Sequence, residues 1–250
     1  MESFNVKDVK DRLIVALDVN SEDKALELVN QLKGRVGLFK VGSQLFTAFG
    51  PPLVNKIISQ GEKVFLDLKF HDIPNTVSSA TIEAAKLGVY MVNLHSMGGI
   101  EMMQQCVKEV ADFCQKEGIR QPIILAVTIL TSLDQSMLAQ LGIEVPLIEQ
   151  VIKLASLAQE AGLDGVICSP QEVITLRQAL SRDFILVTPG IRPSWSITDD
   201  QRRINTPAQA LAKGADYLVI GRPITRAESP AEALEKIMVE IKEGLSGGKR

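Results

Sequence analysis

Short apolar runs and longer amphipathic stretches alternate along the whole chain. The runs are Leu13–Leu17, Phe39–Val41, Val64–Leu68, Met91–His95, Ile123–Leu130, Gly165–Cys168, Ile185–Thr188 and Tyr217–Ile220. Each has the composition of a buried strand, and each is followed by a segment whose apolar residues recur with the period of a helix. The predicted helices are Ser21–Lys33, Pro52–Gln60, Asn75–Leu87, Ile100–Lys116, Pro146–Ala161, Pro170–Leu180, Pro207–Lys213 and Pro230–Glu243. Ser21 supplies an N-cap and Gly61, Gly88, Gly118, Gly162 and Gly214 supply stops, while proline recurs near first turns, where its missing N–H is harmless. Eight such units without a low-complexity divider predict an α/β fold, a single-domain (β/α)8 TIM barrel over residues 1–250 with 244–250 as a flexible tail. A doubly wound open sheet is the alternative. Against it, Leu17-Asp18-Val19-Asn20-Ser21 after the first strand is not a glycine-rich dinucleotide turn, and the chain has no Walker-type loop.

Composition narrows the function classes. A net charge of −3 lacks the basic excess that binding to a phosphate backbone needs, so no nucleic acid partner is expected. The longest apolar stretch, Ile123–Leu130, is far too short to span a bilayer, which predicts a soluble, cytoplasmic protein without a membrane partner. The three cysteines, Cys106, Cys114 and Cys168, are odd in number and lack metal-ligand spacing, as suits packing residues in a reducing compartment.

One segment departs from this pattern. Phe65-Leu66-Asp67-Leu68-Lys69-Phe70-His71-Asp72-Ile73-Pro74-Asn75-Thr76 sets three charged side chains and a proline at the end of an otherwise buried strand. In an extended chain Asp67 and Lys69 point to the same face, with Asp72 just beyond the strand end. Buried charges cost several kcal/mol, as an order of magnitude, unless they satisfy one another or act on a ligand.

Barrel active sites lie at the C-terminal ends of the strands. Asp18, Lys40, Asp67, Lys69, Asn93, His95, Ser96, Thr128, Thr131 and Ser169 all fall there, and so do Thr188–Arg192 and Gly221-Arg222. Asp18 alone is equally a turn former, but Lys40 inside an apolar strand calls for a charge partner. His71 and His95 lack metal-ligand spacing, so no metal site is predicted, and Trp195 is placed over the barrel mouth. The loops after strands seven and eight, Val187-Thr188-Pro189-Gly190-Ile191-Arg192-Pro193 and Val219-Ile220-Gly221-Arg222-Pro223, pair a glycine with an arginine in matching positions. That pairing favours a phosphorylated ligand over two ordinary turns.

The segment Asp67–Thr76 resembles the D-x-K-x-x-D-I-P-x-T signature of the orotidine 5'-monophosphate decarboxylases, and the likeness extends in order through Leu17-Asp18, Phe39-Lys40-Val41-Gly42, Leu130-Thr131-Ser132, Thr188–Pro193, Asp200-Gln201-Arg202-Arg203 and Ile220–Pro223. It is most similar to the bacterial members. The resemblance implies cofactor-independent decarboxylation of orotidine 5'-monophosphate to UMP in de novo pyrimidine biosynthesis, with no metal. It implies that Lys69 donates a proton to carbon 6, that Asp67 lies beside the departing carboxylate, and that Lys40, Asp67, Lys69 and Asp72 form an alternating charge chain. Asp72 would cross from the partner in a homodimer. Asp18 and Lys40 would hold ribose hydroxyls, Thr131 would contact the pyrimidine, and Gln201, Gly221 and Arg222 would hold the phosphate with Arg192 nearby. Ile73 and Thr76 would join the substrate-binding set. Two alternatives stand beside it: a Mg2+-dependent sugar-phosphate decarboxylase or aldolase with a similar D-x-K-x-x-D strand, and a non-catalytic nucleotide-binding barrel.

Overall fold

The computed structural model describes residues 9–196 and 205–247. Eight parallel strands close into a barrel in sequence order: β1 Leu13–Ala16, β2 Leu38–Gly42, β3 Val64–Phe70, β4 Met91–His95, β5 Ile123–Val127, β6 Gly165–Ile167, β7 Ile185–Thr188 and β8 Tyr217–Ile220. Closure is made by β1, where Ile14 lies opposite Leu38 of β2 on one side and Val219 of β8 on the other. The helices are α1 Glu22–Leu32, α2 Ser43–Ile58, α3 Pro74–Lys86, α4 Ile100–Glu117, α5 Gln135–Gln140, α6 Leu147–Glu160, α7 Val173–Ala179, α8 Pro207–Ala212, α9 Arg222–Thr225 and α10 Pro230–Gly247.

Period-two alternation divides the apolar residues between two cores. Ile14, Leu38, Phe65, Met91, Leu125 and Val187 fill the barrel, while the alternate residues Val15, Phe39, Leu66 and Val92 pack outward against helices. Burying such a side chain contributes about 1.5–3 kcal/mol relative to leaving it exposed, so the outer core fixes strand register and thereby the inward positions.

Besides small shifts at element ends and the unpredicted one-turn α9, the elements differ from the sequence reading in four places. Residues 43–49 are helical, and α2 runs across a kink at Gly50, whose φ of 58° and ψ of −157° glycine alone adopts easily before Pro51 and Pro52. β5 ends at Val127 rather than at Leu130, because the buried Thr128 turns its hydroxyl to the Ile167 carbonyl (3.2 Å). The short α5 was not predicted; Asp134 caps it by accepting from the Met137 N–H at 3.0 Å. Finally, α10 continues past Glu243 through Gly247, so part of the predicted flexible tail is helix. Gly244 lies so close to Ala208 that a Cβ there would sit 2.5 Å from the alanine methyl, and Leu245 packs on the outer core.

Candidate active site

The inward positions of β2 and β3 hold charge where the neighbouring layers hold hydrocarbon. Lys40 follows Leu38 into the barrel and Asp67 follows Phe65, and each is 8% exposed. Lys40 Nζ lies 3.1 Å from Asp67 Oδ2 and 3.1 Å from Asp18 Oδ1, and Lys69 Nζ lies 2.6 Å from Asp67 Oδ1. Signs therefore alternate along Asp18, Lys40, Asp67 and Lys69, so each charge faces its opposite. Burial pushes the Asp67 carboxyl up, but Lys40, then Lys69, and hydrogen bonds from Lys69 and Asn93 outweigh it and hold the group below its ordinary value. Burial likewise pulls the Lys40 ammonium down, and Asp67 with Asp18 more than reverses this. Both groups are ionised at neutral pH.

Backbone geometry sets the spacing of these charges. Leu66 pairs with Val92 and Phe70 with Leu94, so three residues of β3, Asp67 to Lys69, stand against Asn93 alone on β4. This bulge carries Lys69 at φ 54°, the single positive φ outside glycine among the described residues. A left-handed residue with a Cβ costs about 1–2 kcal/mol, and such strain clusters where geometry serves function. Asn93 fills the gap in the ladder: its Oδ1 accepts the Lys69 N–H at 2.8 Å and its Nδ2 donates to Asp67 Oδ1 at 2.7 Å. Sequence reading placed Asn93 on the rim but gave it no role. The available signal was an amide at a fully buried strand position, where polar groups need partners.

A cavity of about 330 Å3 opens above this network, within the range of small-molecule sites. Asp18, Lys40, Asp67, Lys69 and Thr131 line it. Gly190, Arg192, Gly221 and Arg222, from the loops after β7 and β8, line the same cavity. Gly190 has φ 76°, a conformation that favours glycine and lets the backbone turn close to the cavity. Partial burial and then the neighbouring Arg222 cation lower the Arg192 pKa from its ordinary value, so two guanidiniums crowd one end of the cavity. Such crowding suits a multiply charged anion.

Other predicted residues fall elsewhere. Asp72, Ile73 and Thr76 are exposed where β3 leads into α3, and none lines the cavity. Asp72 Oδ1 accepts its neighbour Ile73 N–H at 2.7 Å, and among the described residues of this single chain it pairs with no lysine. Trp195 does not cover the barrel mouth; it lines a groove with Lys236 and Val239 of α10, beside Ser194, whose N–H and hydroxyl both donate to Glu240 at 3.1 Å. That anchor turns the indole outward. Gln201, with Asp200, Arg202 and Arg203, lies outside the described residues. Ser96 donates its hydroxyl to the Val127 carbonyl (2.8 Å), which makes it a tie between β4 and β5. His71 and His95 stack at 5.2 Å between ring centroids, with His95 Nδ1 accepting the Met97 N–H at 3.3 Å. No group of three or more His, Cys, Asp or Glu among the described residues is arranged to hold a metal ion.

Residues 11–237 match the model of the orotidine 5'-phosphate decarboxylase / HUMPS family. The chain belongs to that family. It is 51% identical to orotidine 5'-phosphate decarboxylase of Geotalea daltonii over 93% of this chain and 97% of the relative, and 49% identical to that of Syntrophotalea carbinolica over 96% and 99%. Among solved structures, orotidine 5'-phosphate decarboxylase from Lactobacillus acidophilus superposes with a TM-score of 0.81 at 39% identity, covering 92% of this chain and 98% of that one. An uncharacterized conserved protein from Geobacillus kaustophilus gives 0.80 at 38% identity, covering 92% and 99%. Family membership and the structural match thus agree with the closed barrel.

Proposed function

We propose that this chain converts orotidine 5'-monophosphate to UMP and CO2 in pyrimidine biosynthesis without a metal or cofactor. The observation that carries the reading is the alternating Asp18, Lys40, Asp67, Lys69 network in the wall of a cavity that Arg192 and Arg222 also line. Relatives about half identical over nearly the whole chain bear the name of that enzyme, which favours it over the sugar-phosphate members of the same family.

In the reaction the bond from carbon 6 to the carboxylate breaks, CO2 leaves, and the electron pair stays on carbon 6 in the plane of the ring. That orbital cannot delocalise into the ring carbonyls, so fixed positive charge must stabilise it. Lys69 supplies the charge and then the proton that completes UMP; solvent returns a proton to the amine. Asp67 orients Lys69 and faces the departing carboxylate. Lys40 and Asp18 bind the ribose hydroxyls, Thr131 contacts the pyrimidine, and Gly221, Arg222, Arg192 and Gln201 take the phosphate. Phosphate binding remote from carbon 6 can supply free energy to organise the charged end. Both Asp67 oxygens already meet donors, Oδ1 Lys69 and Asn93 and Oδ2 Lys40, so one of the carboxylate's roughly four acceptor sites remains, beside two ammonium groups that disfavour a divalent cation.

The active form in this reading is a homodimer, in which Asp72, Ile73 and Thr76 complete the partner's site. Their exposure supports this, as do the exposed apolar side chains Ile73, Met97 and Leu130 that follow three adjacent strands. The cytoplasm is the assigned compartment: all three cysteines are buried and unpaired, and among the described residues no helix is long and apolar enough to cross a membrane.

The test follows the absorbance of orotidine 5'-monophosphate with and without excess EDTA. Equal turnover in both is expected; loss on chelation overturns the metal-free reading, and no turnover in either overturns the substrate. Mixed dimers of Asp72→Ala and Lys69→Ala subunits should regain activity, and verified heterodimers that stay inactive would remove Asp72 from the partner's site.

A further inference from the structure

We propose that Asn93 is a positioning residue for this decarboxylation: its side-chain amide holds the Lys69 backbone and the Asp67 carboxylate together, and so sets where the ammonium meets carbon 6. The inference rests on the decarboxylase reading above, and it concerns a residue that does not line the cavity.

In a regular parallel pair the N–H groups of β3 would find carbonyls on β4. The bulge places Asp67, Leu68 and Lys69 against Asn93 alone, so the Lys69 N–H needs another acceptor. Asn93 Oδ1 supplies it at 2.8 Å, at a site with no exposure. The same side chain then has two donors left on Nδ2, and one reaches Asp67 Oδ1 at 2.7 Å. Only one amide orientation satisfies both neighbours, because reversal would set an oxygen against the carboxylate and an NH2 against the N–H.

Two consequences follow for the charge network. First, Asp67 Oδ1 is fixed by Asn93 on one side and Lys69 on the other, so the carboxylate cannot rotate without losing a buried bond, and Oδ2 stays on Lys40. Second, Lys69 is held at φ 54°, a conformation its Cβ opposes, by the acceptor at its own N–H. Asn93 therefore restrains the ammonium from both ends, through the main chain that carries it and through the carboxylate that orients it. Catalysis by a fixed charge depends on this placement, since misplacement by about 1 Å costs on the order of 100-fold in rate.

A merely structural role would make Asn93 a plug in the bulge, and the experiment separates the two. Asn93→Ala and the isosteric Asn93→Asp are prepared in the full chain. For each, kcat and KM for orotidine 5'-monophosphate are measured, with affinity for UMP and for a UMP analogue bearing an oxyanion at carbon 6. Asn93→Asp keeps the acceptor for the Lys69 N–H and replaces the donor to Asp67 with a second carboxylate oxygen, so it turns the clamp on Asp67 into a repulsion. In both variants kcat should fall roughly 10- to 100-fold with affinity for the oxyanion analogue falling in parallel, while KM and UMP affinity stay within about threefold. Unchanged kcat, or equal losses for UMP and the analogue, overturns the proposal whatever happens to thermal stability. If Asn93→Ala does not fold, Asn93→Asp carries the same test with the same two overturning results. A wild-type chain that does not turn over the substrate removes the underlying decarboxylase reading, whereas an active wild type with an unaffected variant removes Asn93 alone.

Discussion

The two ends of the barrel both gather charged side chains, and they use them differently. At the N-terminal end Arg177 donates to the carbonyls of Arg182 (3.1 Å), Phe184 (2.8 Å) and Gly214 (2.8 Å), and to Asp216 Oδ2 at 2.6 Å. That same oxygen accepts the Leu186 N–H at 2.8 Å, and Asp164 accepts the Ile124 N–H at 2.7 Å. Apart from the ion pair between Arg177 and Asp216, these charges are satisfied by main chain at the entrances to strands, so they stitch β5, β7 and β8 to the loops before them. At the C-terminal end the charges of Asp18, Lys40, Asp67 and Lys69 are satisfied mainly by one another and face an open cavity. Charge bonded to backbone belongs to architecture; charge balanced only by other side chains around a cavity is free to act on a ligand.

Removing the top charge tests this contrast most severely. Lys69→Ala should lower kcat by about 1,000-fold or more, because it removes both the proton and the nearest positive charge. The chain should still fold, since Asp67 keeps Lys40 and Asn93 as partners. Steady-state kinetics beside a thermal melt reads both, and near-native turnover would place the proton donor elsewhere. The reverse pattern belongs to the other end. Arg177→Ala strands three carbonyls and a half-buried carboxylate, and should cost about 2–4 kcal/mol of stability in urea unfolding. Activity per folded molecule should stay within about twofold, and a selective loss of activity would erase the distinction between the ends.

Arg222→Ala sharpens the comparison within the top rim. It should weaken UMP binding roughly 10-fold while leaving the nucleoside nearly unaffected, as expected of a charge-assisted contact to phosphate. Calorimetry on both ligands decides this. Equal losses would move Arg222 out of the phosphate end and leave that end without its exposed cation.

How much of this was legible in the sequence depends on whether local pattern or strand register decides the feature. Eight strands, the shared face of Asp67 and Lys69, the need of Lys40 for a charge partner, and the two glycine-arginine loops follow from period-two alternation and turn chemistry, which act over a few residues. The bulge does not, because it exists only in the pairing of Leu66 with Val92 and Phe70 with Leu94, residues distant along the chain. Asn93 was therefore visible as a rim residue and invisible as a clamp. Similarly, the apolar run Ile123–Leu130 hides the point where β5 stops, and α5 has only six residues with which to display a period. The exposure of Asp72 becomes informative only when its lysine partner is sought in the single chain and not found among the described residues.

The smallest expected effect is an acid sensitivity of the top rim. His95 sits with its Nδ1 accepting from Met97, against the stacked His71 ring and near Lys69. Burial first, and then those two neighbours, hold its pKa at about 4, below the ordinary 6.5. Between these values the unfolded chain binds a proton that the folded chain refuses, so stability must fall as pH drops through that window. Above 6.5 neither state is protonated at this site and His95 contributes no pH dependence. Asp67 acts in a separate range: its folded pKa lies below the ordinary 3.8, so its contribution is present above that value and is lost only as pH falls through the lower folded one. Urea unfolding at a series of pH values should therefore show a slope between 6.5 and 4 that His95→Gln reduces, with turnover at pH 7.5 little changed. Equal slopes in the two proteins would mean that His95 takes up its proton in the folded state as readily as in the unfolded one, and the slope in that window would then come from groups other than His95.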